Sequence, residues 1–473
     1  MNKAGFDKYE DHIILPFGKK VSYGLGGMVH YLLQESINNL VILYNVIFKM
    51  DALIVGAILF LPRIWDAISD PLMGYLSDNT RTRWGRRRPY IFLGGILGSI
   101  LLFMMMSPPL SLSQNGLSTY FLITSILFFT AFTIFIVPYN ALGFEMSIDY
   151  NERSRVMGYR AFFSSFGIML AYWMIWFVTR PIFTSQAMGA KLTGIAFALI
   201  GSLGIIIVVL RTREPADVQQ QEKVGILDAL KFTYTNRPFL ILSLALVIFQ
   251  IGLAVWLPLM TYVNFYYVFG GDISMGSLLG GLSATLFCIL KLGSVPLMTW
   301  VGTKIGKDKT FGIGIVLTAV CFGLVWFLFT PKYPYLQLAL QLIVVWALPS
   351  IEIFPQAIMA DICDLDELKH GYRREGMFGA GMGFAQKLGV SASPLIVGII
   401  LSFIGFDQNL TVQPEEVLFK LRLFAVVVPC AFILVAGILL FAIRLPETRV
   451  REVRAMLEER RSDNTSKEEY KHD

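Results

Sequence analysis

Apolar stretches of about twenty residues recur along almost the whole chain, and no other feature of the sequence limits its possible folds so sharply. A bilayer's hydrocarbon core is about 30 Å thick, and roughly 20 apolar residues in helical form cross it. About twelve such stretches are present, near 21–47, 52–76, 89–107, 118–144, 156–179, 189–210, 237–267, 275–300, 310–330, 335–360, 376–404 and 418–443. Of the 473 residues, 55% are hydrophobic and only 16% charged, where soluble domains carry about 25% charged residues. In lipid each segment must satisfy its own backbone amides, so the expected fold class is an all-α polytopic membrane protein.

Charge gives these spans a direction. The first twenty residues are polar and mixed in charge, with no apolar run ahead of a cleavage site, so the N-terminus is expected in the cytoplasm. The loops after spans 2, 4, 6, 8 and 10 then hold Arg81, Arg83 and Arg86 to Arg88; Arg153 and Arg155; Arg211 and Arg213; Lys304, Lys307 and Lys309; and Lys369, Arg373 and Arg374. The opposite loops are poor in Lys and Arg, and Ser107 to Ser118 carries no charge at all. This asymmetry marks the basic loops as cytoplasmic and returns the C-terminus to the same side, in a cell membrane. The net charge of +6 therefore reports topology, with the lipid bilayer and not nucleic acid as the expected partner. Cys288, Cys321, Cys363 and Cys430 lack paired spacing and read as small apolar residues.

The polar stretch 211–236 separates two halves, 1–210 and 237–443, each expected to be a six-helix bundle, and a charged tail follows from 444 to 473. Corresponding loops of the halves are alike. GYLSDNTRTRWGRRR after span 2 has a shorter counterpart in VGTKIGKDK after span 8. FEMSIDYNERSRVMGYRAFF after span 4 matches MADICDLDELKHGYRREGMFGA after span 10. Parallel six-span repeats with a substrate site between them near the midplane are the expected layout, functional as a monomer.

Chemistry is concentrated where charge enters apolar helices. Asp66 and Asp70 lie four residues apart on span 2 and so share a face. A carboxylate at the bilayer centre costs roughly 2.5–3.5 kcal/mol on insertion scales, so the pair needs cations, water or a substrate path. Close carboxylates bind a proton or an alkali cation readily; the structural alternative is pairing with Arg63 or a base on another helix. Lys387, in the middle of span 11, either joins this pair or reaches water in a cavity. Span 1 bears a polar stripe of His30, Tyr31, Gln34, Glu35, Asn38, Asn39 and Asn45. Tyr31, Gln34, Glu35 and Asn38 supply the donors and acceptors that a polyhydroxylated solute needs, or hydrogen bonds between helices. Arg160 on span 5 could hold a carboxylate or sulfonate through its planar fork, or pair with Glu145 or an aspartate.

In the second half, Gln250, Trp256, Tyr262, Lys291, Trp346, Glu352 and Gln356 are polar or aromatic groups within apolar spans. Glu352, between Ser350 and Pro355, is expected to interrupt a helix and expose backbone groups. Gly379, Gly381 and Gly383 mimic a nucleotide fingerprint, but they follow no strand and read as close helix packing. The chain lacks GxxxxGK[ST], HExxH and GxSxG, and it has only four His, so neither an enzyme nor an ATP-driven pump is expected.

RIWDAISDP, TRTRWGRRRP, VPYNALGFEMS with ERSR, and MADICDLDE…RREG with Gln386-Lys387-Leu388-Gly389 together carry a family pattern. Over essentially its full length the chain resembles the glycoside–pentoside–hexuronide:cation symporters of the major facilitator superfamily. The resemblance implies cation-coupled sugar symport by alternating access, with Na⁺ or H⁺ as coupling ion and no cofactor. It implies a cation site at Asp66 and Asp70 with Lys387 beside it, and a sugar site drawing on Arg160 and Gln386. It also implies gating latches at Asp78, Arg86 and Arg153, with Asp361 and Arg373 as second-half counterparts. The chain departs from the family's galactoside-binding members: their sugar-binding aspartates on spans 1 and 4 correspond to Tyr31 and Ile136, and a span-4 tryptophan corresponds to Asn140. Glu35, Tyr139 and Asn140 are the expected replacements, and an acidic sugar is among the expected substrates. Sodium-dependent lysolipid symporters share the WDAI-DP helix, so a lysolipid symporter and a non-transporting sensor remain the alternatives.

Overall fold

The computed structural model of the chain describes residues 15–147, 149–212, 236–370, 375–441, 452–453 and 455–457. Among these residues there is no strand, and twelve long helices follow one another. The first six are α1 (Phe17–Ile42), α2 (Ala52–Asn79), α3 (Arg88–Met106), α4 (Gln114–Glu145), α5 (Tyr150–Val178) and α6 (Gln186–Arg211). The second six are α7 (Arg237–Tyr262), α8 (Ile273–Ile305), α9 (Lys307–Leu328), α10 (Gln341–His370), α11 (Glu375–Ile404) and α12 (Glu415–Phe441). Each expected span falls on one of them. Several helices run past the expected ends, because a helix leaving the bilayer continues where charged residues can hydrate it.

Starts are set by polar caps at the orphan amides. Asp51 accepts from the amides of Leu53 and Ile54 at the head of α2, and Asp149 accepts from Glu152 at the head of α5. Ser113, Ser185, Asn236 and Asp272 do the same for α4, α6, α7 and α8.

Nine of the described helices are long and apolar enough to cross a membrane by length and composition. The three that are not are α1, α2 and α10, which carry the polar stripe, the Asp66–Asp70 pair and the Glu352 to Asp366 acids. Their low hydropathy comes from the groups that make them chemically interesting.

The repeat is visible in the backbone. Both α1 and α7 end in a π-helical turn, Leu43–Ile47 and Val263–Val268, each with a buried Asn at its heart. Asn45 donates to the Met50 carbonyl, and Asn264 donates to that of Gly276. The α2–α3 and α8–α9 connections both turn on a glycine with positive φ, Gly85 at 102° and Gly306 at 93°, a conformation that side chains disfavour.

Within the first set α1 packs most extensively on α5, and between sets α2 meets α11 and α5 meets α8. Backbones touch where α2 and α11 cross. A Cβ on Gly56 would meet the Pro394 carbonyl, and one on Gly398 would meet that of Ala52. Tyr262 donates to Asn45 Oδ1 at 2.7 Å, Trp173 to Thr285 at 3.0 Å, and Arg180 to Ser274 at 2.6 Å. These contacts cluster at the end away from the arginine loop.

Two expectations fail here. The helix around Glu352 is not interrupted: α10 runs unbroken through Pro355, since proline removes one ladder hydrogen bond that neighbouring groups can replace. Gly379 and Gly383 are not close-packing points, as a Cβ at either would meet nothing within 4 Å; on α11 that role falls to Gly389, against the Val247 carbonyl, and to Gly398, against that of Ala52.

Candidate functional site: a carboxylate pair bridged to the second half

Because α2 is helical from Ala52 to Asn79, Asp66 and Asp70 project from successive turns toward α4. Thr133 of α4 meets both: its hydroxyl lies 2.7 Å from Asp66 Oδ1 and 3.1 Å from Asp70 Oδ1. Ser69 Oγ is 3.4 Å from the same hydroxyl. Four side-chain oxygens thus converge, two of them carboxylate, which is the hard-oxygen set a small cation prefers over nitrogen or sulfur. Asp66 is only 5% exposed and Thr133 1%. Arg63, one turn earlier, lies over the Phe129 ring at 4.5 Å.

Lys387 of α11 reaches across and pairs with Asp70 Oδ2. Its side chain stays 48% exposed and that of Asp70 23%. The lysine thus joins the carboxylates while about half of its side chain stays accessible.

The α1 stripe is satisfied largely within itself. His30 and Gln34 are 3.0 Å apart, and Asn38 donates to Glu35 Oε2 at 3.0 Å. Asn39 donates to the carbonyls of Glu35 and Ala171. Tyr31 stacks obliquely on His30. Arg160 donates to Asn140 Oδ1 at 2.6 Å, so Asn140, rather than Glu145 or an aspartate, is its partner.

Tyr139 requires a correction as a candidate ligand. It is fully buried, stacks on Tyr23, and donates to the Tyr23 carbonyl at 2.7 Å; it joins α1 to α4 and presents no free surface. In the second half Gln356 is exposed and Gln386 partly buried. Glu352 lies on α10, and its side chain is outside the described set.

The expected latches form within the first six helices. Arg87 joins Asp78 at 3.0 Å and Glu145 at 2.7 Å, and Arg86 also reaches Glu145 at 2.7 Å. Arg153 donates to the Ser147 carbonyl. These bonds brace one end of the first bundle. Asp361 is buried on α10, and Arg373 lies outside the described residues. Most of the 211–236 and 444–473 segments likewise lie outside them.

A profile of the family described as MFS/sugar transport protein matches residues 22–447. The chain belongs to that family. This sugar-transport family member is a transporter and not an enzyme. The putative glycoside/cation symporter YagG of Escherichia coli (strain K12) is 25% identical over 93% of this chain and 94% of its own length. The sodium-dependent lysophosphatidylcholine symporter 1 of Homo sapiens is 26% identical over 94% of this chain and 89% of its own. The solved structure of the nucleoside transporter NupG matches with a TM-score of 0.62 at 14% identity, over 91% of this chain and all of that one, and shares the fold.

Sequence reasoning on the MFS transporter missed Thr133 and Glu152. Nothing near Thr133 marks it: Thr124 and Thr130 on the same helix bond their own backbone, Thr130 also meets α2 through the Trp65 indole, and only the place where α2 carries its carboxylates distinguishes Thr133. Glu152, 1% exposed, accepts from Lys20 at 2.8 Å, from Arg155 and from the Leu15 amide; its signal was an acid beside the basic ERSR loop.

Proposed function

We propose that the chain carries a glycosidic sugar into the cell together with Na⁺ or H⁺, by alternating access. The observation that supports this most is the Thr133 hydroxyl bridging Asp66 and Asp70 while Lys387 of the other half holds Asp70. The cluster lies where the two halves meet, so whatever neutralises it also changes how they are held. A cation entering between the carboxylates competes with the Lys387 ammonium for Asp70. Its binding is thereby linked to movement of α11 against α2. Asp66, Asp70, Thr133 and Ser69 hold the coupling ion, with Lys387 as its competitor.

Sugar recognition is assigned to the α1 stripe of Tyr31, Gln34, Glu35 and Asn38, with Asn140, Arg160, Gln386, Glu352 and Gln356 as further candidates. Mixed donors and acceptors on one helix face suit hydroxyl groups. The contacts at the end away from the arginine loop support an inward-facing reading, in which the arginine loop and both termini are assigned to the cytoplasmic side of the cell membrane. Asp78, Arg86, Arg153, Asp361 and Arg373 are assigned to the cytoplasmic gate. The chain acts as a monomer.

The test is substrate-evoked current from purified protein in liposomes, across neutral glycosides, uronates and sulfosugars, with and without Na⁺. A Na⁺-dependent current for one sugar class supports sodium symport at Asp66 and Asp70. A current needing only protons assigns them to proton carriage. Silence from folded protein across the panel refutes the sugar reading and moves the lysolipid and sensor alternatives forward.

A further inference from the structure

The arginines between α2 and α3 fall into two groups. Arg86 and Arg87 pair with Glu145, Arg87 also pairs with Asp78, and Arg88 donates to the Val209 carbonyl near the end of α6. Arg81 and Arg83 are exposed and make no hydrogen bond or ion pair among the described residues. They lie past the end of α2 at Asn79, roughly two helical turns beyond Asp70, so the carboxylate cluster does not use them.

Beside them stands Trp84, 49% exposed, and its exposure is built in. The Trp84 amide donates to Thr82 Oγ1 at 3.1 Å, and that hydroxyl donates to the Gly85 carbonyl at 2.6 Å. The Gly85 amide returns to the Thr82 carbonyl at 3.0 Å, and Arg88 donates to the Trp84 carbonyl at 3.3 Å. These bonds fix the turn and hold the indole edge-on to Phe92, with ring centroids 6.3 Å apart. Phe92 is itself exposed one turn into α3, and Leu93 and Leu97 extend the exposed apolar surface along that helix. In a membrane protein such a surface meets acyl chains, and a tryptophan at its end belongs at headgroup level.

We propose that this turn binds one anionic phospholipid of the cytoplasmic leaflet, on the topology assigned above. The lipid phosphate lies against the Arg81 and Arg83 guanidinium groups, whose planar forks suit phosphate oxygens. The Trp84 indole sits at the glycerol ester level, and an acyl chain runs along Phe92, Leu93 and Leu97. Two cations without a protein counter-charge favour a headgroup of net negative charge; a zwitterionic one would bring an ammonium to the same pair. The counterpart turn at Gly306 has exposed Lys304 and Lys309 with no aromatic residue between them, so it offers charge without the anchor. The assignment holds whatever solute or coupling ion the protein carries.

The test is native mass spectrometry of the purified chain, titrated with phosphatidylglycerol or phosphatidylcholine of the same acyl chains. A basic residue at an anionic lipid surface is worth about fivefold in affinity, so the wild type should bind its first phosphatidylglycerol roughly 25-fold more tightly than phosphatidylcholine. Arg81→Gln combined with Arg83→Gln should remove that advantage and leave phosphatidylcholine binding unchanged. Trp84→Ala should weaken the first phosphatidylglycerol roughly 10-fold, the share of a half-buried aromatic side chain. All three side chains are exposed, and unchanged melting in phosphatidylcholine nanodiscs certifies folding. The charge control is Lys304→Gln combined with Lys309→Gln, which should leave the first binding step as in the wild type.

Equal affinity of the wild type for the two lipids, or full phosphatidylglycerol affinity in the Arg81 and Arg83 double variant, overturns the proposal. An equal loss in the Lys304 and Lys309 control overturns it too, because the preference would then be diffuse attraction to the basic face. Competition by soluble glycerol 3-phosphate at matched concentration would make the turn an anion site that needs no lipid, and the assignment would be wrong.

Discussion

Thr133→Val is the sharpest perturbation of the proposed cation site, because it keeps the side chain's shape and removes one oxygen. Thr133 is 1% exposed, and its hydroxyl lies 2.7 Å from Asp66 and 3.1 Å from Asp70. It has one proton, so it donates to a single carboxylate at a time, the closer Asp66, and leaves its lone pairs for a cation. Hydrogen bonds to charged groups contribute about 1.5–3 kcal/mol. Losing the contact should therefore raise the cation concentration for half-maximal uptake roughly 10- to 150-fold, at about 1.4 kcal/mol per tenfold. Maximal uptake at saturating cation should change much less, and Thr133→Ser should restore most of the affinity. The assay is cation titration of sugar-evoked current in liposomes. An unaltered half-maximal concentration in Thr133→Val, with protein correctly inserted, would show that the bridge has no part in coupling.

Asp66→Asn and Asp70→Asn should each abolish concentrative uptake while leaving membrane insertion intact; normal accumulation by both would remove the pair from the mechanism. Gly56→Val should force α2 away from the Pro394 carbonyl of α11 and bias the protein toward an outward-open state. The reporter is Cys288, buried with its thiol on the Ser165 carbonyl at the α5–α8 contact, in a background where the other three cysteines are serine. Faster labelling of it by an impermeant maleimide from outside is expected, and an unchanged rate counts against the assigned gate. Glu145→Gln should lower the melting temperature by weakening the Arg86 and Arg87 pairs together while leaving cation affinity unchanged; a shifted cation affinity would mean that this brace is part of the coupling machinery.

The architecture was legible because a bilayer imposes one length and one backbone solution on every span. For the same reason the i, i+4 spacing of Asp66 and Asp70 placed them on one face, and Lys387, isolated in an apolar helix, had to find a counter-charge or water. Legibility ended where the answer depends on how two helices cross. Thr130 and Thr133 both face α2, but Thr130 meets the Trp65 indole and Thr133 the two carboxylates, and Tyr139 is hidden because its ring stacks on Tyr23 of α1. Arg160 found Asn140 on the neighbouring α4 instead of a carboxylate. Pro355 suggested a break that tertiary packing does not require. Local pattern fixes which residues share a face, but not which neighbour that face will meet.

The unequal surroundings of the two carboxylates explain why a pair is needed. Asp66 is buried and held by Thr133, so it can serve as a fixed ligand that travels with the first half. Asp70 is 23% exposed and bound to a lysine that is itself half exposed. Exposed ion pairs contribute only about 0–1 kcal/mol, so a cation can displace this one without a large penalty. A deeply buried Lys387 pair would resist displacement and freeze the halves together. An aspartate without any lysine partner would bind the cation but transmit nothing across the interface. The coupling free energy typical of linked sites, about 1–3 kcal/mol, matches an exchange of this size. On the proposed mechanism, a fixed carboxylate, an exchangeable one and a half-exposed lysine on the opposite half would together bind a cation and report its presence to the other half.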